Sequence, residues 1–128
     1  MSELIHQEVT FKTKAKRVYD ALMNSKEHAA FTGGPAEISK EAGGPFTCHG
    51  GHILGRNVEL VPNKRIVQAW RAANWDEGVY SIVRFELVEK NGQTQVVMDH
   101  TGVPDAGRND VAAGWKSHYW EPLAKYLA

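Results

Sequence analysis

Hydrophobic and polar residues alternate from Ile5 to Phe11. Ile5, Val9 and Phe11 fall on one side and His6, Glu8 and Thr10 on the other, which is the period of a half-buried strand. Gln7 is the one exception. The spacing then becomes helical: Ala15, Val18, Tyr19 and Leu22 share a face behind Thr13, which the pattern predicts as N-cap. A second short helix, with Ser25 as its predicted cap, ends near Phe31, ahead of Gly33-Gly34-Pro35. From Ala36 to Thr101 the chain reads as strands separated by turn residues, at Gly43-Gly44-Pro45, Gly50-Gly51, Pro62-Asn63-Lys64, Trp75-Asp76-Glu77-Gly78 and Asn91-Gly92. Asn91-Gly92 is the clearest hairpin turn, because both residues tolerate positive φ and flank two alternating runs.

The alternation also assigns faces. Ser81, Val83, Phe85 and Leu87 oppose Arg84 and Glu86, while Val96, Met98 and His100 oppose Gln95, Asp99 and Thr101, with Val97 a misfit. Ile66, Gln68 and Trp70 share a third inward face, whereas Ile53 to Val61 shows no single phase. After Pro104-Asp105 one helix is predicted to run to the C-terminus, with Val111, Trp115, Tyr119, Leu123 and Leu127 at successive i,i+4 positions. Pro122 lies inside it. It removes the bond to the His118 carbonyl and should kink the helix, at ~3 kcal/mol if uncompensated. The order of strand, two helices, strands and long helix is an α+β pattern in one domain, residues 1–128.

Composition narrows the partners. The 15 Lys and Arg balance 15 Asp and Glu, and no basic block stands out, so neither nucleic acid nor an anionic membrane is expected as partner. Cys48 is the only cysteine, as in proteins of a reducing compartment. Met1-Ser2-Glu3-Leu4-Ile5-His6 lacks the charged flank and apolar run of a leader, and no apolar stretch approaches the ~20 residues that span a bilayer. A soluble cytoplasmic protein is expected.

Candidate chemistry follows from the inward faces. Val83, Phe85, Val96, Met98 and Trp70 from the strands, with Trp115 and Tyr119 from the helix, would line any cavity between sheet and helix. Gln68, His100 and the Tyr119 hydroxyl would be its few polar groups, the make-up of a small-molecule site. The alternative is a filled core in which His100 and Tyr119 satisfy each other or the backbone. Cys48-His49-x-x-His52 has metal-ligating side chains, but adjacent strand residues point to opposite faces, so no metal site is assigned. The same argument separates Asp99 from His100 and weakens a Cys48 nucleophile with a His100 base. The glycine pairs lack the pattern of a phosphate loop, and no cofactor is implied. Trp75, with Asp76 and Glu77 beside it, is a candidate partner contact if its ring is exposed, and otherwise folds onto the sheet edge.

Six segments together resemble a known family: Leu60-Val61-Pro62-Asn63-Lys64-Arg65-Ile66-Val67, Trp70-Arg71, Trp75-Asp76-Glu77-Gly78, Lys90-Asn91-Gly92-Gln93-Thr94, Gly102-Val103-Pro104 and Gly114-Trp115. They are similar to the C-terminal domain of the activator of the heat-shock protein 90 ATPase, in the START-like, helix-grip superfamily. The resemblance implies a curved antiparallel sheet wrapped around the C-terminal helix, with two short helices after the first strand. It also implies a chaperone of the heat-shock protein 90 family as partner, in chaperone regulation or a stress response. The eukaryotic activator has a further N-terminal domain that anchors it on the chaperone, and these 128 residues hold no counterpart of it. The superfamily's lipid carriers and aromatic polyketide cyclases imply two alternatives, a binder of a small hydrophobic or aromatic ligand and a cyclase-like enzyme. For the enzyme only His100, Tyr119 and Gln68 could act.

Overall fold

The computed structural model describes residues 4–127; Met1, Ser2 and Glu3, which belong to the leader reading, and Ala128 lie outside them. Strand β1 (Ile5–Phe11) leads into helices α1 (Ala15–Met23) and α2 (Ser25–Thr32). Strands β2 (Glu37–Ile38), β3 (Pro45–Cys48), β4 (Ile53–Val61), β5 (Arg65–Ala72), β6 (Ser81–Lys90) and β7 (Gln93–Thr101) follow. All pair antiparallel in the order β1-β7-β6-β5-β4-β3-β2. The last helical stretch has three parts: α3 (Arg108–Gly114), a π-helical turn (Trp115–Trp120) and α4 (Glu121–Leu127). The fold is the expected one, a curved antiparallel sheet gripping a C-terminal helix, with two short helices after the first strand.

The inward faces of β5, β6 and β7 are as alternation predicts, since Ile66, Gln68, Trp70, Val83, Phe85, Val96, Met98 and His100 are all buried. Strand β4 explains its own ambiguity. Its register against β5 shifts between Asn57 and Glu59, leaving Val58 exposed, and an extra residue at such a bulge reverses every face beyond it. The buried Asn57 amide uses the bend, donating to the carbonyls of Ser39 (2.7 Å) and Glu41 (3.2 Å) and accepting from Gln68 Nε2 at 3.1 Å.

Both early caps differ from expectation. Helix α1 begins after Lys14 with no side-chain cap from its own segment; instead the Glu89 carboxylate of β6 accepts the Ala15 N–H at 2.7 Å. Thr13 contributes its carbonyl, which accepts from the Thr94 hydroxyl. Helix α2 is capped by Asn24, whose side chain accepts from the Glu27 N–H at 3.1 Å, while Ser25 Oγ accepts from the Ile38 N–H and ties β2 to the helix. Local pattern could not find Glu89, 74 residues from Ala15, whereas the α2 cap lies one residue ahead of the predicted Ser25.

Pro122 is accommodated without a break. The Glu121 N–H reaches back five residues to the Lys116 carbonyl, so the turn ahead of the proline is wide enough to pass its ring and missing N–H. The widening brings Trp120, which the i,i+4 stripe omits, onto the buried side beside Trp115 and Tyr119. In a regular α-helix Trp115 and Trp120 would lie about 140° apart; here their rings stack with centroids 5.8 Å apart and planes at 21°.

The outer face carries a chain of paired polar and charged side chains across five strands. Glu8 and His6 of β1 (2.7 Å), Asp99 of β7 (2.5 Å from His6), Arg84 of β6 (3.0 Å from Asp99), Glu86, Arg65 of β5 (2.8 Å from Glu86) and Glu59 of β4 follow one another. Hydrogen bonds to Asp99 and Glu8 raise the His6 pKa. Asp99 thus spends its carboxylate outward while its neighbour His100 turns in.

Gly55 sits in β4 where the neighbouring strands leave no room for a side chain. A Cβ there would overlap the Ala69 carbonyl and lie 2.9 Å from the Phe46 ring. Gly55→Ala is therefore expected to destabilise the fold by about 1–3 kcal/mol. Urea unfolding checks this, and an unchanged midpoint would contradict the packing described.

Candidate functional site

The seam between sheet and C-terminal helix is closed by a directed chain of hydrogen bonds. Trp115 Nε1–H donates to His100 Nδ1 at 3.1 Å, so Nδ1 carries no proton and Nε2 must. Nε2–H donates to Ser81 Oγ at 2.6 Å, and the Ser81 hydroxyl donates to the Trp70 carbonyl at 3.1 Å. Every donor meets an acceptor. Burial pushes the His100 pKa down to about 3, and the ring has no free lone pair with which to act as a base. His100 and Tyr119 thus do not satisfy each other, one form of the filled-core alternative.

Tyr119 pairs with His28 of α2, which the sequence did not nominate, at 3.0 Å between the hydroxyl and Nε2. Cys48 Sγ lies 3.7 Å from the same nitrogen. Burial, then the neighbouring His49, lowers His28 to about 4, and burial pushes the Cys48 thiol up to about 12. Cys48 is therefore a protonated core thiol whose neighbours are His28 and Tyr119 rather than His100. His28 Nδ1 is buried with no hydrogen-bond partner among the described residues. Gln7, the exception in the β1 alternation, clamps the helix from the other end: it accepts from Trp120 Nε1–H at 2.7 Å and donates to the Ala112 carbonyl at 2.9 Å.

The predicted cavity residues fall into two groups. Val83, Phe85, Val96 and Met98 are packed in the core together with Gln68. The space among Gln68, Trp70, Phe85, Trp115 and Tyr119, facing His28, amounts to about 20 Å³, room for one water. A larger space, a groove of about 470 Å³, lies at the open end of the seam. Its floor is Trp70, Trp75, Trp115 and Tyr119, and its rim includes His49, His52, Asp110 and His118. Sequence reasoning placed Trp70, Trp115 and Tyr119 in a cavity, Trp75 at a partner contact, and did not bring the rim residues together, since these meet through the 3₁₀ turn at His49–Gly51 and the π turn of the helix. Among the described residues no three or more His, Cys, Asp or Glu side chains are grouped to hold a metal ion.

Trp75 is half-buried, with its ring 5.5 Å from that of Trp70, while Asp76 and Glu77 are exposed. Arg71 fixes this turn, donating to the carbonyls of Trp75 at 2.7 Å and Asp76 at 3.4 Å, with its guanidinium 5.7 Å from the centre of the Tyr80 ring.

Residues 12–128 match the family described as "Activator of Hsp90 ATPase homolog 1-like protein", and the chain belongs to that family. It is 32% identical over 114 residues to the human "Activator of 90 kDa heat shock protein ATPase homolog 1", covering 89% of this chain and 34% of that protein. It is 36% identical over 107 residues to the Dictyostelium discoideum homologue, covering 83% of this chain and 28% of that one. The chain thus spans about a third of the length of these curated relatives. Among solved structures, an HSP90 activator from Plasmodium falciparum superposes with a TM-score of 0.93 at 21% identity, covering 98% of this chain and 96% of that one. The Aha1 dimer from Colwellia psychrerythraea gives 0.83 at 16%, with the same coverage. At these identities the structural likeness shows the fold.

The buried imidazoles carry a pH prediction. Both have folded pKa values below the ordinary 6.5, so the unfolded chain binds the extra protons; stability is full above pH 6.5 and falls as pH drops toward about 4 for His28 and about 3 for His100. Each contributes a slope approaching about 1.4 kcal/mol per pH unit. Urea unfolding between pH 7 and 5 should show this loss, with a shallower slope in His100→Leu; a flat profile in the native protein would contradict both assignments.

Proposed function

We propose that this chain is a non-enzymatic interaction domain that engages a chaperone of the heat-shock protein 90 family and modulates its ATPase cycle. The observation that carries this reading is its 32% identity, over nine-tenths of its length, to an activator of that ATPase. The structure adds a surface suited to the role. The turn at Trp75-Asp76-Glu77-Gly78 presents two exposed carboxylates on a backbone held by Arg71, so the loop is ordered before a partner arrives and loses little freedom on binding. We assign the contact to Asp76 and Glu77, with Trp75 supporting them from behind. A cytoplasmic setting belongs to the same proposal; among the described residues no helix is long and apolar enough to cross a membrane.

The test is a titration with the heat-shock protein 90 of the same organism, read as binding and as ATP turnover. Binding with raised turnover is expected, and the double charge reversal Asp76→Lys, Glu77→Lys should weaken binding about tenfold, ~1.4 kcal/mol, with an unchanged melting temperature. No binding together with unaltered turnover would remove the proposal.

A further inference from the structure

We propose that the open groove between the His49–Gly51 turn and the C-terminal helix is a binding site for a planar aromatic carboxylate, independent of any chaperone contact. Its volume, about 470 Å³, lies in the range of small-molecule sites. The floor is built of indole rings: Trp70 and Trp75 at 5.5 Å, Trp70 and Trp115 at 6.0 Å. The Trp115 N–H is already committed to His100, so that ring offers the groove its apolar surface. Such a floor favours a flat aromatic guest.

Two features show the groove held open by the chain. Gly114 lies inside the helical stretch at φ −61°, ψ −36°, where any residue fits, and a Cβ there would meet only the edge of the His118 ring at 3.7 Å. Neither backbone geometry nor close packing requires glycine, which costs a helix about 1 kcal/mol relative to alanine. Its effect is to leave the wall without a side chain, and Gly107, where a Cβ would have only Trp75 Nε1 at 4.0 Å, does the same. On the opposite wall His49 has φ +54°, a conformation costly for a non-glycine residue, and its ring stands 5.7 Å from Tyr119 and 6.2 Å from His118.

The rim sets the charge of the guest. Three imidazoles, His49 and His52 of the turn and His118 of the helix, face a single carboxylate, Asp110 of α3. Behind them His28, Cys48 and Tyr119 are uncharged at neutral pH. Burial, then His118 and His52, lowers the His49 pKa, so that imidazole resists protonation. A carboxylate seated beside His49 would favour its protonated form and raise its pKa. Binding then takes up protons and tightens as pH falls from 8 to 6.

The probe is 2-naphthoate, titrated by calorimetry and tryptophan fluorescence at pH 6 and pH 8, with the neutral 2-naphthamide as control. Naphthoate should bind about threefold to tenfold tighter at pH 6, and the amide should bind more weakly with no pH dependence. Gly114→Leu, which fills the groove and favours the helix, should reduce binding at least about tenfold without lowering the melting temperature. His118→Gln, which removes one rim imidazole at an exposed position, should weaken naphthoate binding at pH 6 about threefold. The proposal is overturned if the native protein binds no naphthoate at millimolar concentration, if the amide matches the acid at both pH values, or if a folded Gly114→Leu or His118→Gln variant behaves as the native protein does.

Discussion

A tryptophan buried between a sheet and a helix must place its N–H on an acceptor, and this fold has to do so twice on one helix. Trp115 donates to His100 of β7 and Trp120 donates to Gln7 of β1, on neighbouring strands. Together the two bonds fix how the helix is rotated and how far it has slid along the sheet, because a shift of one residue would leave both indoles unpaired in the core, at about 1–3 kcal/mol each. Both tryptophans can point inward only because the helix widens to a π turn between them. The proline that follows fits that widening, so one irregularity resolves a steric demand and a hydrogen-bonding demand together.

Much of this was legible in the sequence because alternation survives wherever strands are regular. The faces of β5, β6 and β7, the hairpin at Asn91-Gly92 and the inward turn of His100 all followed from period two. What stayed hidden lay at departures from period. The β4 bulge erased its phase, and the π turn placed Trp120 five residues from Trp115, where no i,i+4 rule looks for it. The Glu89 cap and the His28 partner of Tyr119 are 74 and 91 residues away in the chain, beyond any local pattern. The rim histidines were visible as residues, but their convergence depends on two irregular turns.

The division between interior and exterior is the main functional result. The aromatics that identify the family also fill the space a buried ligand would need, leaving room for a water, while the same rings form the floor of the groove outside. The polar groups along the seam are spent on holding sheet and helix in register: His100 has no lone pair to offer, and Cys48 keeps its proton. The two proposed contact surfaces, the Arg71-braced turn with its two carboxylates and the groove behind it, meet at Trp75.

The strand order has a consequence for how the domain is made. From β2 to β7 each strand pairs with its sequence neighbour, but β1 pairs only with β7, and its His6–Asp99 contact spans 93 residues. During synthesis β1 leaves the ribosome before the other strands and has no sheet partner until residues 94–100 are made; its second anchor, Gln7 to Trp120, waits longer still. Closing so distant a contact is slow relative to the neighbouring hairpins. Until it closes, both β1 and the edge of β7 are unpaired, the state in which one nascent chain can lend its first strand to another.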